Sequence, residues 1–343
     1  MDLRKIIGQL FILGFRGATL TMENQIREDI VTGNLGGIIL FDNFLSASEK
    51  DSNIVSRPQL ENLCDRLQSL AEIKLLIGVD QEGGAVRRLK QRHGFPPLPS
   101  AAEMGRDTSC RESATHARRT GELLAAIGIN CDFAPVADIN VNLNNPIIGK
   151  IGRSFSSSPR EVAAHCEQWL DGLKHSGVLG CLKHFPGHGS STTDSHKGWV
   201  DISRSWKRQE LIPYAELIEK GKVQAVMMGH LFHSDFDAEH PASLSADIIG
   251  GLLRGEMHYA GLVITDDLQM RGITERYGIP EAIVQAFSAG VDMIILGNNL
   301  EYDPGILHKA VNAVEQAVES GYLSLETLRK SYDRVQKIKE EIL

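Results

Sequence analysis

Val178-Leu179-Gly180-Cys181-Leu182-Lys183-His184 is a short, almost uninterrupted apolar run that stops abruptly at a lysine–histidine pair. Its length and continuity fit a strand buried on both faces, as in a parallel sheet. Phe185-Pro186-Gly187-His188-Gly189-Ser190-Ser191-Thr192-Thr193-Asp194-Ser195-His196 follows, rich in Gly, Ser, Thr and titratable groups. Such a loop is poor material for a core and good material for the mouth of a site. Residues i and i+2 of an extended backbone face the same way. Asp194 can therefore orient and charge-stabilise His196 as a proton-transfer pair.

Runs of the same character recur at 10–14, 37–41, 75–80, 131–136, 224–229, 262–266 and 292–297, which makes eight. Segments with helical spacing lie between them. Ser158, Pro159 and Glu161 read as an N-cap, a proline at N1 and a capping-box glutamate. Val162, Cys166, Trp169, Leu170 and Leu173 then form one apolar stripe, closed by Gly177. Leu211, Tyr214, Leu217 and Ile218 repeat the pattern before Gly221, as do Ala282, Ile283, Ala286 and Phe287 before Gly290. A last helix is expected over about 324–342. Strands alternating with helices predict an α/β fold with a parallel sheet, and eight of them favour closure into a TIM-like (β/α)8 barrel. No strand is followed by GxGxxG or GxxxxGK[ST], which an open nucleotide-binding sheet usually carries. Without a linker, repeat or low-complexity stretch, one domain over 1–343 is expected. The polar segment 42–57 reads as a long loop on the barrel top.

In such a barrel the chemistry sits at the C-terminal strand ends. Those ends hold Asp42, Asp80, Asp138, Lys183-His184, His230, Asp266-Asp267 and Asn298. Each has a bland alternative. Asp266 is either a helix N-cap or a carboxylate aimed at substrate, and adjacent Asp266 and Asp267 should not both face the mouth. Asp80, entering Gln81-Glu82-Gly83-Gly84, is either a turn cap or a site acid. Lys183 and His184 are either a buried pair neutralised by barrel carboxylates or binding groups. Arg153 either reaches the mouth or pairs with a barrel acid. His184, His188 and His196 could instead ligate a metal, but HxxxH needs a helix that Pro186-Gly187 forbids; no metal and no cofactor is expected.

Composition narrows the partners. The 343 residues are 42% apolar and 23% charged with a net charge of −8, ordinary for a globular protein. No basic run tracks a phosphate backbone, so nucleic acid is not an expected partner. The five scattered cysteines, with no CxxC, suit reduced thiols in a reducing compartment. The apolar run 6–15 behind Arg4 and Lys5 is short and lacks a small-x-small cleavage site. No stretch reaches the ~20 apolar residues that span a bilayer. A cytoplasmic monomer without membrane contact is the expectation.

Three segments together resemble glycoside hydrolase family 3, specifically its single-domain bacterial β-N-acetylglucosaminidases. They are Val79-Asp80-Gln81-Glu82-Gly83-Gly84, the 183–196 stretch quoted above, and Ile264-Thr265-Asp266-Asp267-Leu268. Gly152-Arg153-Ser154-Phe155-Ser156 is a weaker fourth match. The resemblance implies a TIM-like barrel that hydrolyses β-linked N-acetylglucosamine with retention. Asp266 would be the nucleophile, and His196 the general acid/base with Asp194 as its partner. Asp80, Arg88, Arg153, Lys183 and His184 would bind sugar hydroxyls. It further implies a glycan or muropeptide substrate in cytoplasmic cell-wall recycling. Ala85 stands where many members have arginine, with Arg87 and Arg88 close behind. The C-terminal domain that other members append is not seen. The rival readings are a metal-dependent barrel hydrolase, a family-3 enzyme of other glycan specificity or phosphorolytic chemistry, and a silent sugar-binding protein.

Overall fold

The computed structural model describes residues 2–45 and 52–342. All eight apolar runs are strands: β1 (Phe11–Leu13), β2 (Gly37–Ile39), β3 (Leu76–Val79), β4 (Cys131–Asp132), β5 (Leu179–Phe185), β6 (Ala225–Met228), β7 (Leu262–Thr265) and β8 (Ile294–Leu296). They pair in parallel in the order β7-β6-β5-β4-β3-β2-β1-β8. A bridge between Ile264 and Met293 joins the two ends of that order, with Thr265 N donating to Met293 O at 3.0 Å. The barrel is nearly closed. β4 is shorter than its apolar run, though Val136 beyond it still bridges to Lys183.

Strand residues are buried because the sheet is covered on both faces. Side chains on one face fill the barrel, and those on the other meet the helices. The helix Pro159–His175 runs where its stripe places it, with Val162, Cys166, Trp169 and Leu173 buried. Its start differs from expectation. Ser158 makes no side-chain cap, and Glu161 accepts instead from Ser156 Oγ at 2.5 Å. The carboxylate thus ties down the preceding turn rather than the cap backbone. A full capping box occurs at Ser56 and Gln59, opening the helix Arg57–Leu70. Of the 42–57 segment expected to be a loop, residues 46–51 lie outside those described. No described helix is long and apolar enough to cross a membrane, and all five cysteines are free thiols.

The C-terminal helix Leu325–Ile342 closes the barrel floor, the end away from the strand C-termini. Asp292, just before β8, accepts from Ser331 Oγ and Arg334 Nη1, each at 2.9 Å. Arg254 Nη2 binds its other oxygen at 2.7 Å. Beside this ion cluster Lys339 is only 4% exposed, and its Nζ donates to Gln9 Oε1 at 2.8 Å. Burial pushes the Lys339 amine down to about 7. Between that value and the ordinary lysine value of 10.5 the unfolded chain binds the extra proton, so stability must rise with pH across this window. The rise is on the order of 4 kcal/mol from this group. Lys339→Met should flatten it. Thermal melts of both proteins from pH 7 to 10 check this, the expected outcome being a gap that is widest at pH 7.

Candidate active site

At the C-terminal strand ends lies a cavity of about 340 Å³. Asp80, Arg88, Arg153, Lys183, His184, His196 and Asp266 all line it, so seven of the eight expected site residues converge there. The eighth, Asp194, stands behind His196. Ala85 is exposed and lies outside the lining. Arg87 turns away to the carbonyls of Gly84 and Leu98. Arg88 is the one that reaches the cavity, with Nη2 on Asp80 Oδ2 at 2.9 Å.

The cavity wall is an ion network. Lys183 Nζ, 3% exposed, lies 2.8 Å from Asp80 Oδ1 and 2.7 Å from Glu82 Oε1. Arg153 grips Glu82 with both Nε and Nη2, at 2.7 and 2.8 Å. Such a bidentate fork holds both partners in one plane. Burial alone would neutralise Asp80 and Glu82. The cations outweigh it: Lys183 and Arg88 hold the Asp80 carboxyl well below the carboxylate range, and Arg153 and Lys183 hold Glu82 at about 2. The wall therefore stays charged at any working pH.

His184 is fixed by its neighbours. Arg153 Nη2 lies 3.2 Å from its Nε2 and Asp138 Oδ2 lies 2.7 Å from its Nδ1. Arginine can only donate, so Nε2 accepts and Nδ1–H donates to Asp138. The pairing of β5 with β6 shifts register between Leu182 and Phe185, and consecutive Lys183 and His184 both line the cavity.

Asp266 follows β7, and its Oδ1 accepts the N–H of Asp267 at 2.8 Å. Burial favours its neutral form, but the imidazoles of His230, His184 and His196 outweigh burial and lower its pKa. Asp267 also borders the cavity, contrary to the simple alternation expected for two adjacent acids, because the strand ends at Thr265. Its Oδ1 is spent on Gln269 N and Gly297 N, each at 3.0 Å. Burial keeps that carboxyl raised, to about 6. The free carboxylate is Asp266.

The loop after β5 is anchored at its root. Trp206 Nε1 donates to Pro186 O at 3.0 Å, and Asn145 Nδ2 donates to His188 O at 2.7 Å. Gly189 sits so tightly that a Cβ there would fall 1.7 Å from Ile139 O. His188 is buried, its Nδ1 against Ser191 Oγ at 2.7 Å, and burial depresses it to about 4. It is a scaffold residue. Farther along, His196 Nδ1 lies 3.0 Å from Asp194 Oδ1, which also accepts the His196 N–H at 2.9 Å. The His196 side chain is 49% exposed, against 15% for Asp194. Burial opposes its protonation, but the hydrogen bond to Asp194 and the charges of Asp266 and Asp194 outweigh that and raise the imidazole pKa. With Nδ1 committed, Nε2 is the atom free to serve a ligand.

Among the described residues no group of three or more His, Cys, Asp or Glu side chains is arranged to hold a metal ion. The imidazoles explain why. His184 turns to Asp138, His188 to Ser191, and His230 donates through Nε2 to Asp267 O at 2.9 Å. Glu82 and Asp138 are the structural carboxylates that sequence reasoning did not assign. Asp138 was visible as a strand end; Glu82 gave no signal beyond its place in the glycine turn.

A cavity walled by fixed charges, with the Asp266 carboxylate and the His196 imidazole both bordering it, suits a hydroxyl-rich substrate and acid/base hydrolysis. The sequence profile of the Glycosyl hydrolase family 3 N terminal domain matches residues 2–338, and the chain belongs to that family. A β-hexosaminidase of Tolumonas auensis is 36% identical over 317 residues, covering 90% of this chain and 89% of that one. Beta-hexosaminidase A of Pseudoalteromonas piscicida is 31% identical over 350 residues, 95% of this chain but 57% of the relative. Among solved structures, a glycoside hydrolase family 3 β-N-acetylglucosaminidase from Paenibacillus sp. str. FPU-7 superposes with a TM-score of 0.90 at 35% identity, covering 99% of this chain and 62% of that one. The chain thus spans little more than half the length of some relatives and nearly all of others.

Proposed function

We propose that this protein is a retaining β-N-acetylglucosaminidase, a β-hexosaminidase whose whole catalytic apparatus lies on one barrel domain over 1–343. The carrying observation is that Asp266 and His196 border the same cavity as the Asp80–Lys183–Glu82–Arg153 network. The names of its relatives support the N-acetylglucosamine specificity.

In this reading Asp80, Arg88, Arg153, Lys183 and His184 bind the sugar hydroxyls. The ionised Asp266 attacks the anomeric carbon as His196 Nε2–H protonates the departing glycosidic oxygen, leaving a covalent glycosyl-enzyme. Neutral His196 then takes a proton from water, whose oxygen attacks that carbon and releases Asp266. Asp194 holds the Nδ1–H tautomer and stabilises the imidazolium, the task a triad aspartate performs. A histidine suits the work because its unperturbed pKa, about 6.5, already lies near neutrality. A muropeptide of bacterial cell-wall turnover, met in the cytoplasm by a monomeric enzyme, is the physiological setting this reading favours.

The test is a panel of aryl β-glycosides. The N-acetylglucosaminide should be the best substrate, and glucoside and xyloside poor ones. N-acetylglucosamine should be released initially as the β-anomer. A preference for glucoside or xyloside reassigns the substrate. Because an imidazole does not repel an anion as a carboxylate does, the panel is run with and without phosphate; a sugar 1-phosphate product would make the enzyme a phosphorylase.

A further inference from the structure

The loop that carries His196 has a second anchorage at its far end, on the segment that follows the Asp266 strand. The chain leaves Asp266 through a turn in which Met270 N donates to Asp267 O at 3.0 Å, then forms the short helix Arg271–Thr274. Gly272 N donates to Ser195 O at 2.8 Å, one residue before His196. Trp199 N donates to Glu275 Oε2 at 3.1 Å. The Gly198 backbone comes so near that a Cβ there would lie 3.1 Å from Glu275 Oε1. The Arg276 guanidinium stacks 3.7 Å from the centre of the Trp199 ring. Behind Trp199, Phe232 packs at 5.2 Å between ring centres.

Four contacts thus seize residues 195–199 from one short turn, and that turn continues directly from Asp266. The dyad itself has few other restraints: Thr192, Thr193, His196 and Lys197 are exposed. We propose that Glu275 and Arg276 are positioning residues for the proton-transfer dyad, docking its loop on the turn behind the nucleophile so that acid and nucleophile keep one spacing. Neither touches the cavity. Glu275 and Arg276 are both exposed, so replacing them leaves the core intact.

The proposal rests on His196 being the general acid/base, and its test separates the two. Wild type, His196→Ala, Glu275→Gln and the double variant Glu275→Ala/Arg276→Ala are compared on methyl and 2,4-dinitrophenyl N-acetylglucosaminides. A misplaced acid should harm only the substrate that needs protonation. The double variant is expected to lose about 30-fold in kcat/KM on the methyl glycoside, the lower end of the combined worth of one charged hydrogen bond and one exposed cation–π contact. On the dinitrophenyl glycoside kcat/KM should stay within about twofold. Azide, which attacks the glycosyl-enzyme without needing a base, should restore its kcat on that substrate. Glu275→Gln keeps an acceptor for Trp199 N and should behave as wild type. Inhibition by free N-acetylglucosamine should not change. Equal losses on both substrates, or no loss on either, overturn the proposal. If His196→Ala shows the selective pattern and the double variant does not, only the positioning role falls. If His196→Ala shows equal losses, the acid/base assignment falls and takes the positioning role with it.

Discussion

Asp266→Asn is expected to abolish turnover, lowering kcat by roughly 10,000-fold or more, the scale seen when a covalent nucleophile is removed. The amide is the same size, and its oxygen can still accept the Asp267 N–H that Asp266 Oδ1 now receives. The groups that hold the sugar are anchored on one another rather than on Asp266: Asp80 on Lys183 and Arg88, Glu82 on Arg153. Binding of N-acetylglucosamine, measured by calorimetry, should therefore persist within a few-fold. Loss of turnover with binding kept is the signature of a group needed only at the transition state. Activity near wild type, in protein checked by mass for deamidation, would hand the nucleophile's part to another carboxylate.

His196→Ala is expected to divide substrates by leaving group. Protonation by a placed acid contributes roughly 100- to 10,000-fold, and the loss should approach that range on alkyl or sugar aglycones. Activated aryl glycosides depart without help and should lose far less in kcat/KM. Equal losses on both would argue against an acid role. The pH profile gives an independent check. His196 must be protonated to act as acid, so activity falls as pH rises through its pKa, which the Asp194 bond and the nearby carboxylates place above the ordinary 6.5. Asp266 must be ionised, so the acid limb follows its lowered pKa. In kcat/KM for an alkyl glycoside, which needs the acid, His196→Ala should erase the alkaline limb and leave the acid one.

The barrel was legible because β-strands buried on both faces need unbroken apolar runs, and turn or capping residues separate those runs from the helices. The run 178–184 is the clearest instance, since polarity returns at Lys183 and His184, which line the cavity. The convergence of Asp80, Lys183, His184 and Asp266 followed from a single rule, that strand C-termini share one end. What stayed hidden are the bonds between distant segments. Arg153 and Glu82 are 71 residues apart, and neither Gly152 nor Gly83 announces its partner. The capping role expected of Glu161 failed for the same reason: a serine two positions upstream of the expected cap competes for the carboxylate, and sequence spacing does not rank such rivals. Asp267 misled by alternation, a rule that expires where the strand does. Asp138 read as one more rim acid, whereas its oxygens orient His184 and accept His188 N at 2.7 Å.

The buried lysine on the barrel floor separates durability from chemistry. Asp292 ties the last helix beneath the strands and Lys339 lies buried there against Gln9, while every group assigned to the sugar stands above them. A chain built this way can be hardened against heat or acid from underneath, by replacing one amine, while its turnover goes on as before.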